Sequence, residues 1–409
     1  MNPRTFSLNS YSKPFITDIT VIRIDIPRVI PITEIFDMIL MKLEFCFDRK
    51  NLYASNNRMI ELYHMKSMKK ITMVEESFLI DDETNALMLV WPDIYKEKIF
   101  WHDLLRIYYE IINIIILNNC FITLVHHKDA NIENDLSEIN HKLSDVNKNF
   151  ISLYEYNYDD IWIRDYGPKI IKSGLSKFNF NGYGNKYTHQ NDRLFFNNFI
   201  EKNPINNKNL FGKIIIEGGN IINSTRDYIF NKNPITAHNS LSWSEIKDEI
   251  ELLFNKSMHG DCYFIDIKPL TGDDTNGHID NFVRFKDDKH ILYMSTDDKN
   301  HPDYEKLKKL EDQLKSLIIK TNDISFMTPI NHTYNDIVRN KNGDILPFSY
   351  LNFVRVKDVI IFPMNSNTSS KIKNDIKILF PDKNIYFIES SALLNEFGGL
   401  HCCSNNFIK

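Results

Sequence analysis

A chain of 409 residues with a formal net charge of −5 is long enough to bury a large core and has no basic surplus that would favour a nucleic-acid partner. Hydrophobic residues make up 43% and aromatic residues 12%, which is typical of a globular protein and not of a disordered one. The five cysteines are irregularly spaced and include no Cys-x-x-Cys pair, so neither a disulfide framework nor a zinc site is expected.

No segment has the pattern of a signal peptide or a membrane span. Charged residues interrupt residues 15–30, and the most apolar segment, 104–125, contains Arg106 and Glu110. We therefore expect a cytoplasmic protein that does not bind membranes. Its mild acidic excess is compatible with a cationic substrate.

The least regular part of the sequence is its beginning. An alternating run at residues 22–26 predicts a strand, and the apolar spacing of residues 35–47 predicts a short amphipathic helix. An accessory domain, an extension and a wrongly assigned start are all compatible with this pattern. We divide the chain into an N-terminal extension, residues 1–72, and a main domain, residues 73–409.

From Ala86 onward, strands and helices alternate in units of similar size. The first unit is a strand at 87–91, a helix at 103–117 and a strand at 121–126. The later units follow the same pattern. Helices are predicted at 240–254, at a segment that begins at Pro302, and at 370–380. Strands are predicted at 262–267, 282–285, 291–294, 324–327, 350–356, 359–362 and 385–388. Repeated α/β units predict a pseudo-symmetric closed architecture.

Polar motifs lie between these units, and the first of them is acidic. Asp159, Asp160 and Asp165 lie close together beside Trp162, an arrangement that suits a cation. A turn in which Arg164 and Asp165 form a structural ion pair is the alternative.

The second motif begins with Glu217, which follows an apolar strand predicted at 214–216 and precedes two glycines. A carboxylate in that position can orient a histidine or cap a turn.

The third motif, residues 273–285, reads as a polar loop that enters a strand. On a strand, His278 and Asp280 point to the same face while Ile279 points into the core. An ordinary pair at a strand edge is the alternative.

Cys402 is the best candidate for a nucleophile. It follows Gly398 and Gly399, which permit a close approach of the main chain to a substrate. The thiolate is the attacking species, so a reactive cysteine needs a cationic neighbour, and the substrate itself would supply one. A small buried cysteine near the C-terminus is the alternative.

The motifs together supply a thiol, an imidazole and carboxylates that would match the planar N–H groups of a guanidinium and hold its carbon for attack by sulfur. The residues are Cys402, His278, Asp165, Glu217 and Asp280. His278 would give a proton to departing ammonia and then take one from water. No step requires a metal or another cofactor. A metal-dependent hydrolase with His278, Asp280, His401 and Cys402 as ligands is an alternative, but it gives Asp165 and Glu217 no role.

Seven motifs, taken in order, resemble those of the guanidine-modifying enzymes, most closely the bacterial agmatine deiminases and the Porphyromonas-type peptidylarginine deiminases. The resemblance runs from about Ala86 to Phe407. It rests on residues 89–92, 162–168, 180–184, 217–220, 272–280, 350–353 and 399–402.

This resemblance implies an α/β fold, a five-bladed α/β propeller of pseudo-fivefold ββαβ units (the pentein fold), with the active site at its axis. It implies the hydrolysis of agmatine to N-carbamoylputrescine and ammonia, through a covalent thiouronium on Cys402. Deimination of arginine, free or in a peptide, is the alternative. A homodimer is expected from the resemblance and from the frequency of symmetric oligomers.

The resemblance also assigns roles to single residues. Cys402 is the nucleophile, His278 the general acid and base, Asp165 and Asp280 the guanidinium clamps, and Glu217 the partner that positions His278. Substrate contacts are expected from Trp162, Tyr183, Asp274 and Asn352. Tyr183 replaces the usual tryptophan of its motif, a change expected to alter packing along the substrate and not the chemistry. Cys403 stands where an apolar residue is expected, and residues 1–72 have no counterpart in the family.

Overall fold

The structure is a computed structural model, and it describes residues 77–130, 132–136, 149–254, 258, 260–321 and 323–409. In this part of the chain, five sheets share one topology, in which an antiparallel pair of strands is extended by a parallel third strand. Parallel neighbours need a crossover, and a helix supplies it in each sheet. The strand and helix predicted within residues 1–72 lie outside the described residues.

The first sheet joins the two ends of the described chain. Its strands lie in the order Ser404–Phe407, Ala86–Val90, Phe121–His126 and Ile151–Glu155, with the helices Trp101–Leu117 and Ile132–Asp135 in its crossovers. The C-terminal strand runs antiparallel to Ala86–Val90, with Ala86 opposite Phe407. This pairing fixes the segment that carries Cys402, since Cys402 lies two residues before the last strand.

The other four sheets follow in chain order. The second sheet contains the strands Lys169–Ile171, Gly174–Ser176 and Asn207–Lys208, with the helix Gln190–Lys202 in its crossover. The third sheet contains the strands Ile221–Asn223, Asp227–Asn231 and Asp261–Ile265, with the helices Lys232–His238 and Trp243–Leu253. The fourth sheet contains the strands Val283–Asp287, His290–Ser295 and Phe326–Asn331, with the helix Tyr304–Lys320 in its crossover. The fifth sheet contains the strands Val354–Val356, Val359–Met364 and Asn384–Glu389, with the helix Ser370–Leu379 in its crossover. A small hairpin, Val338–Arg339 with Ile345–Leu346, separates the last two sheets. Short helices at Ile163–Tyr166, Gly182–Asn185 and Ser391–Leu394 lie in the loops.

The alternation of strands and helices predicted from the sequence is confirmed. The helix Trp101–Leu117 buries one apolar stripe, which includes Ile107, Ile111 and Ile115, as its periodicity requires. The helix Tyr304–Lys320 buries the predicted face of Leu307, Leu310, Leu314 and Leu317. None of the described helices is both long and apolar enough to cross a membrane.

Two local predictions were wrong. Residues 214–217 pair with no strand in the described chain, because the amide of Ile215 donates to the side chain of Asn239 (2.8 Å) instead of to a neighbouring strand. His278 and Asp280 do not lie on a strand. His278 precedes the 3-10 turn Ile279–Asn281, and the strand begins only at Val283. The strands predicted from 324 and 350 begin later, at Phe326 and Val354.

The helix of the fourth sheet allows a matched test of core packing. Leu310 has no exposed surface, whereas Ile319 on the same helix is 84% exposed. We expect Leu310→Ala to lower the free energy of unfolding by about 2–5 kcal/mol, because it leaves a cavity. Ile319→Ala should change it by less than about 0.5 kcal/mol. Urea denaturation followed by circular dichroism measures both, and equal effects would contradict this packing.

Candidate active site

Five residues predicted from separate motifs form one buried cluster. Glu217 and Asp280 have no exposed surface, and His278, Asp165 and Cys402 are 1%, 2% and 9% exposed. They come from four connections that are distant in sequence. The backbone amide of Arg164 donates to the carbonyl of Cys402 (3.2 Å), which ties the Asp165 segment to the cysteine loop.

Asp165 lies in the short helix Ile163–Tyr166, and two donors hold its carboxylate. The amide of Gly219 donates to Oδ1 and the hydroxyl of Tyr183 donates to Oδ2, both at 2.8 Å. Tyr183 reaches it from a left-handed loop, with its own φ at 57°. The replacement of tryptophan by Tyr183 therefore touches the site chemistry directly, contrary to the expectation from the sequence.

Gly219 lies where three of the predicted side chains meet. A Cβ atom there would lie 2.8 Å from Oδ1 of Asp165, 2.8 Å from Nδ1 of His278 and 3.2 Å from Oδ2 of Asp280. Any other residue would push these groups apart, so the site requires glycine at this position.

His278 lies between two carboxylates. Its Nδ1 is 3.6 Å from Oδ1 of Asp165, and its Nε2 is 3.8 Å from Oε2 of Glu217. Burial by itself lowers the pKa of His278, but the charges of Asp165, Glu217 and Asp280 outweigh it and raise the pKa to about 10. The imidazole is therefore a cation at neutral pH and can donate a proton.

Glu217 has a second imidazole partner, His238, which was not identified from the sequence. Nδ1 of His238 lies 2.7 Å from Oε1 of Glu217, and its Nε2 lies 2.9 Å from Nδ2 of Asn276. An amide nitrogen only donates, so Nε2 accepts and the proton on Nδ1 points to Glu217. Burial opposes the ionisation of Glu217, but its interactions with His238 and then His278 lower its pKa to about 2.

Cys402 faces an amide and a carboxylate. Nδ2 of Asn352 donates to Sγ at 3.3 Å, and Sγ lies 4.0 Å from Oδ2 of Asp280. Burial, followed by the charges of Asp280 and Asp165, raises the pKa of the Cys402 thiol well above its usual range. The thiol is therefore neutral in the absence of another cation.

Asp280 is hydrogen-bonded through one of its two oxygens. Nδ1 of His401 lies 2.7 Å from its Oδ2, while its Oδ1 has no hydrogen-bond partner. Burial raises the pKa of Asp280 to about 7. Burial and the nearby charges of Arg164 and Arg284 lower the pKa of His401 well below its usual range, so His401 donates as a neutral imidazole.

Arg164 does not form the ion pair with Asp165 that the sequence allowed as an alternative. Its guanidinium donates instead to the carbonyl of His401 (3.3 Å) and to Oδ1 of Asn406 (2.9 Å). Asp159 also lies outside the cluster, because its carboxylate accepts hydrogen bonds from the backbone of Asn191. Of the three acids in that motif, Asp165 is the one that belongs to the buried cluster.

The predicted substrate contacts fall into two groups. Asn352 and Tyr183 contact Cys402 and Asp165, as described above. Trp162 packs against the backbone of Gly398, where an added Cβ would lie 2.2 Å from its ring. Asp274 is farther out, where it pairs with Lys186 (3.0 Å) and accepts a hydrogen bond from Tyr187. Asp274 therefore already has a cationic partner in the protein.

A narrow pocket opens on Cys402, and its lining contains no lysine or arginine among the described residues. The lining residues are Asn281, Pro347, Phe348, Ser349, Asn352, Pro363, Ser390, Leu394, Phe397, Gly398, Gly399 and Cys402. The donor atoms of His278, Asp280, His401 and Cys402 do not converge as a metal-ligand group within the described part of the chain. This geometry does not favour the metal-dependent alternative. The cysteines in this part, Cys120, Cys262, Cys402 and Cys403, are free thiols.

Comparison with known proteins identifies relatives that cover most of the chain. The model of the Porphyromonas-type peptidyl-arginine deiminase family matches residues 81–407. The agmatine deiminase of Pseudomonas putida is 25% identical over 289 residues, which are 62% of this chain and 75% of that protein. In fold, the chain is similar to agmatine deiminase from C. jejuni with substrate bound (TM-score 0.67, 20% identity, 82% of this chain and 96% of that one). It is also similar to agmatine deiminase from Enterococcus faecalis (TM-score 0.66, 17% identity), over 82% of this chain and 96% of that one.

The charge on His278 is measurable without a substrate. We expect its imidazole to stay doubly protonated at pH 8, and Glu217→Gln to lower its pKa because the substitution removes a neighbouring negative charge. Nitrogen chemical shifts of labelled histidine report both, with Glu305→Gln, a change of an exposed acid on a helix surface, as the control. A wild-type His278 that titrates at the usual histidine pKa would contradict this electrostatic description.

Proposed function

The chain belongs to the Porphyromonas-type peptidyl-arginine deiminase family, and we propose that it is an agmatine deiminase, which hydrolyses agmatine to N-carbamoylputrescine and ammonia. One observation carries this proposal: the thiol of Cys402 lines a pocket and lies 4.0 Å from Asp280, in a buried cluster of carboxylates around His278, whose pKa is raised to about 10. That arrangement matches a guanidinium, which must be bound as a cation, attacked at carbon and protonated on its leaving nitrogen. The agmatine deiminases among the relatives support the same substrate.

Binding of the guanidinium is assigned to Asp165 and Asp280. The free Oδ1 of Asp280 has no partner in the protein and is available to an N–H group of the substrate. Asp165 is held in place by Gly219 and Tyr183, and each of its oxygens retains a second lone pair. Two carboxylates that bind the planar N–H groups of the guanidinium fix the position of its central carbon.

The bound cation activates Cys402. The pKa of the thiol is high because burial and two carboxylates disfavour the thiolate, and a guanidinium placed between them reverses that electrostatic balance. The thiol proton leaves to solvent, because Asp280, whose Oδ2 is 4.0 Å from Sγ, stays ionised to hold the guanidinium. Sγ then attacks the guanidinium carbon and forms a tetrahedral adduct.

His278 carries the proton in both halves of the reaction. In the first half the imidazolium protonates one amino group of the adduct, the C–N bond breaks, ammonia leaves and a thiouronium remains on Cys402. In the second half the neutral imidazole takes a proton from water and the hydroxide adds to the same carbon. The C–S bond then breaks, and the proton of the added hydroxyl passes to the leaving sulfur. The products are the carbamoyl compound and the free thiol, and Glu217 with His238 behind it holds the imidazole in place throughout.

The pocket favours agmatine over arginine. Arginine carries an α-carboxylate that needs a cationic partner, and the described lining of the pocket contains no lysine or arginine.

The finer features of the fold belong to the same proposal. We infer that the five ββαβ sheets are the blades of a propeller, because they share one topology and the C-terminal strand completes the first of them. The assignment of residues 73–409 as a deiminase domain, a homodimer and a cytoplasmic location in polyamine metabolism remain predictions.

The experiment that tests the function measures ammonia and carbamoyl product with agmatine, arginine and a peptide ending in arginine. We expect turnover of agmatine and little or none of the other two. Cys402→Ala should abolish it, since no other group can form the thiouronium. Cys403→Ala, which removes the adjacent buried thiol, is the matched control and should retain activity.

Each result of that experiment has a defined meaning. Preference for arginine or the peptide would retain the mechanism and reject the substrate. Full turnover by Cys402→Ala would reject the nucleophile. An agmatine-derived adduct on Cys402, detected by mass spectrometry after rapid acid quench, would demonstrate the covalent intermediate directly.

The pKa values define a pH profile for agmatine. Asp280, with a pKa of about 7, must lose its proton to pair with a cation, so kcat/KM should rise as the pH passes about 7. His278, with a pKa of about 10, must keep its proton to release ammonia, so kcat/KM should fall as the pH passes about 10. Measurement of carbamoyl product between pH 5.5 and 10.5 gives the profile, and a rise that continues above pH 10 would contradict this role of His278.

A further inference from the structure

Three acidic residues outside the predicted active site converge at one end of the third sheet, where two of its strands begin. Asp227 and Asp261 lie directly opposite each other on neighbouring parallel strands, and Asp323 joins them from the loop after the helix Tyr304–Lys320. One carboxylate oxygen from each lies within 4.8 Å of the others. Like charges directly opposite on adjacent strands are destabilising, so this arrangement has an energetic cost unless something neutralises it.

Asp227 provides a second observation that points to a ligand. Its side chain is only 1% exposed, and neither carboxylate oxygen has a hydrogen-bond partner. A buried carboxylate with both oxygens unpartnered is rare, because each lost hydrogen bond to water must be replaced. A cation placed among the three carboxylates would contact the oxygens of Asp227 and of its two acidic neighbours together.

The protein itself supplies little positive charge to this cluster. Burial, and then the charges of Asp323, Asp261 and Asp288, raise the pKa of Asp227 to about 7, and Arg226 is the cation that acts against them. Asp288 is already engaged, since it accepts hydrogen bonds from the amide and hydroxyl of Thr225. Among the described residues, no lysine or arginine forms an ion pair with the three remaining carboxylates, and Arg226 acts on Asp227 only from a distance.

We propose that Asp227, Asp261 and Asp323 form a binding site for a hard divalent cation, with Ca²⁺ as the ion whose chemistry they fit. All three ligands are carboxylate oxygens, which suit Ca²⁺ and are a poor match for metals that prefer sulfur or imidazole. Asp261 is exposed, so water can complete the coordination shell. A bound ion would link the third sheet to the loop that leads into the last strand of the fourth, and the expected effect is on stability.

The test compares full-length protein in EDTA and in millimolar CaCl2 at matched ionic strength. We expect Ca²⁺ to raise the Tm of the wild-type protein by several degrees, because a ligand that binds only the folded state stabilises it. Asp323→Asn should lose most of this shift and should be at least as stable as the wild type in EDTA, since one repulsion is removed. Asp248→Asn, a change of an exposed acid on the helix Trp243–Leu253, is the matched control and should retain the full shift.

A second readout uses Tb³⁺ as the probe. Tyr263 lies two residues after Asp261 on the strand Asp261–Ile265, so the two side chains share one face of the sheet and its phenol is the chosen sensitiser of Tb³⁺ emission. We expect emission that Ca²⁺ displaces, and its loss in Tyr263→Phe with the Ca²⁺-dependent Tm shift intact. If Asp323→Asn does not fold, Asp261→Asn replaces it. An unchanged wild-type Tm in Ca²⁺, or equal Ca²⁺ responses of wild type and Asp323→Asn, would overturn the proposal.

Discussion

The burial of three carboxylates around one histidine is the constraint on which the rest of the site depends. Asp165, Glu217 and Asp280 are each at most 2% exposed, and a buried charge without partners costs several kcal/mol. His278 compensates part of that cost as a cation, at 3.6 Å from one carboxylate and 3.8 Å from another. In the proposed mechanism this cation is the general acid, and it is in place before any substrate binds.

The remaining cost of burying the three carboxylates is offset by hydrogen bonds from backbone and side-chain donors around the cluster. A backbone amide and a phenol hold Asp165, one imidazole holds Glu217 and another holds Asp280. Behind His401, the cations Arg164 and Arg284 face a cavity of about 190 Å³ in which Arg284 pairs with Asp81 (2.8 Å). The charges of Arg164 and Arg284 favour the ionised form of both Asp280 and Asp81. Removal of one member would leave its neighbour unpaired, which makes the network cooperative.

The same electrostatics gives the thiol its selectivity. Burial and two carboxylates raise the pKa of the Cys402 thiol, so we expect slow reaction with water-borne electrophiles and oxidants that need a thiolate. A guanidinium changes this, because it brings the missing positive charge to the one place where it lowers the pKa of the thiol. Recognition of the substrate and activation of the nucleophile are therefore one event in the proposed mechanism.

The sequence by itself determined the features that depend on local order. Helices such as Trp101–Leu117 follow from apolar periodicity, and short polar motifs at strand ends were sufficient to nominate Cys402, His278 and their carboxylates. These signals are local because side-chain spacing repeats within a single helix or strand.

Only the tertiary structure decided how these groups meet. The bond from His238 to Glu217 and the fit of Gly219 between three side chains join residues with no shared periodicity. The 3-10 turn at Ile279–Asn281 replaced the predicted strand because the amide of Ile279 donates to Asn220, 59 residues away. Asp227 and Asp261 became neighbours through the register of two strands of the third sheet, and Asp323 joins them from a loop of the fourth sheet. Hydrogen bonds and charges act across space, and no pattern along the chain encodes which distant partner will satisfy them.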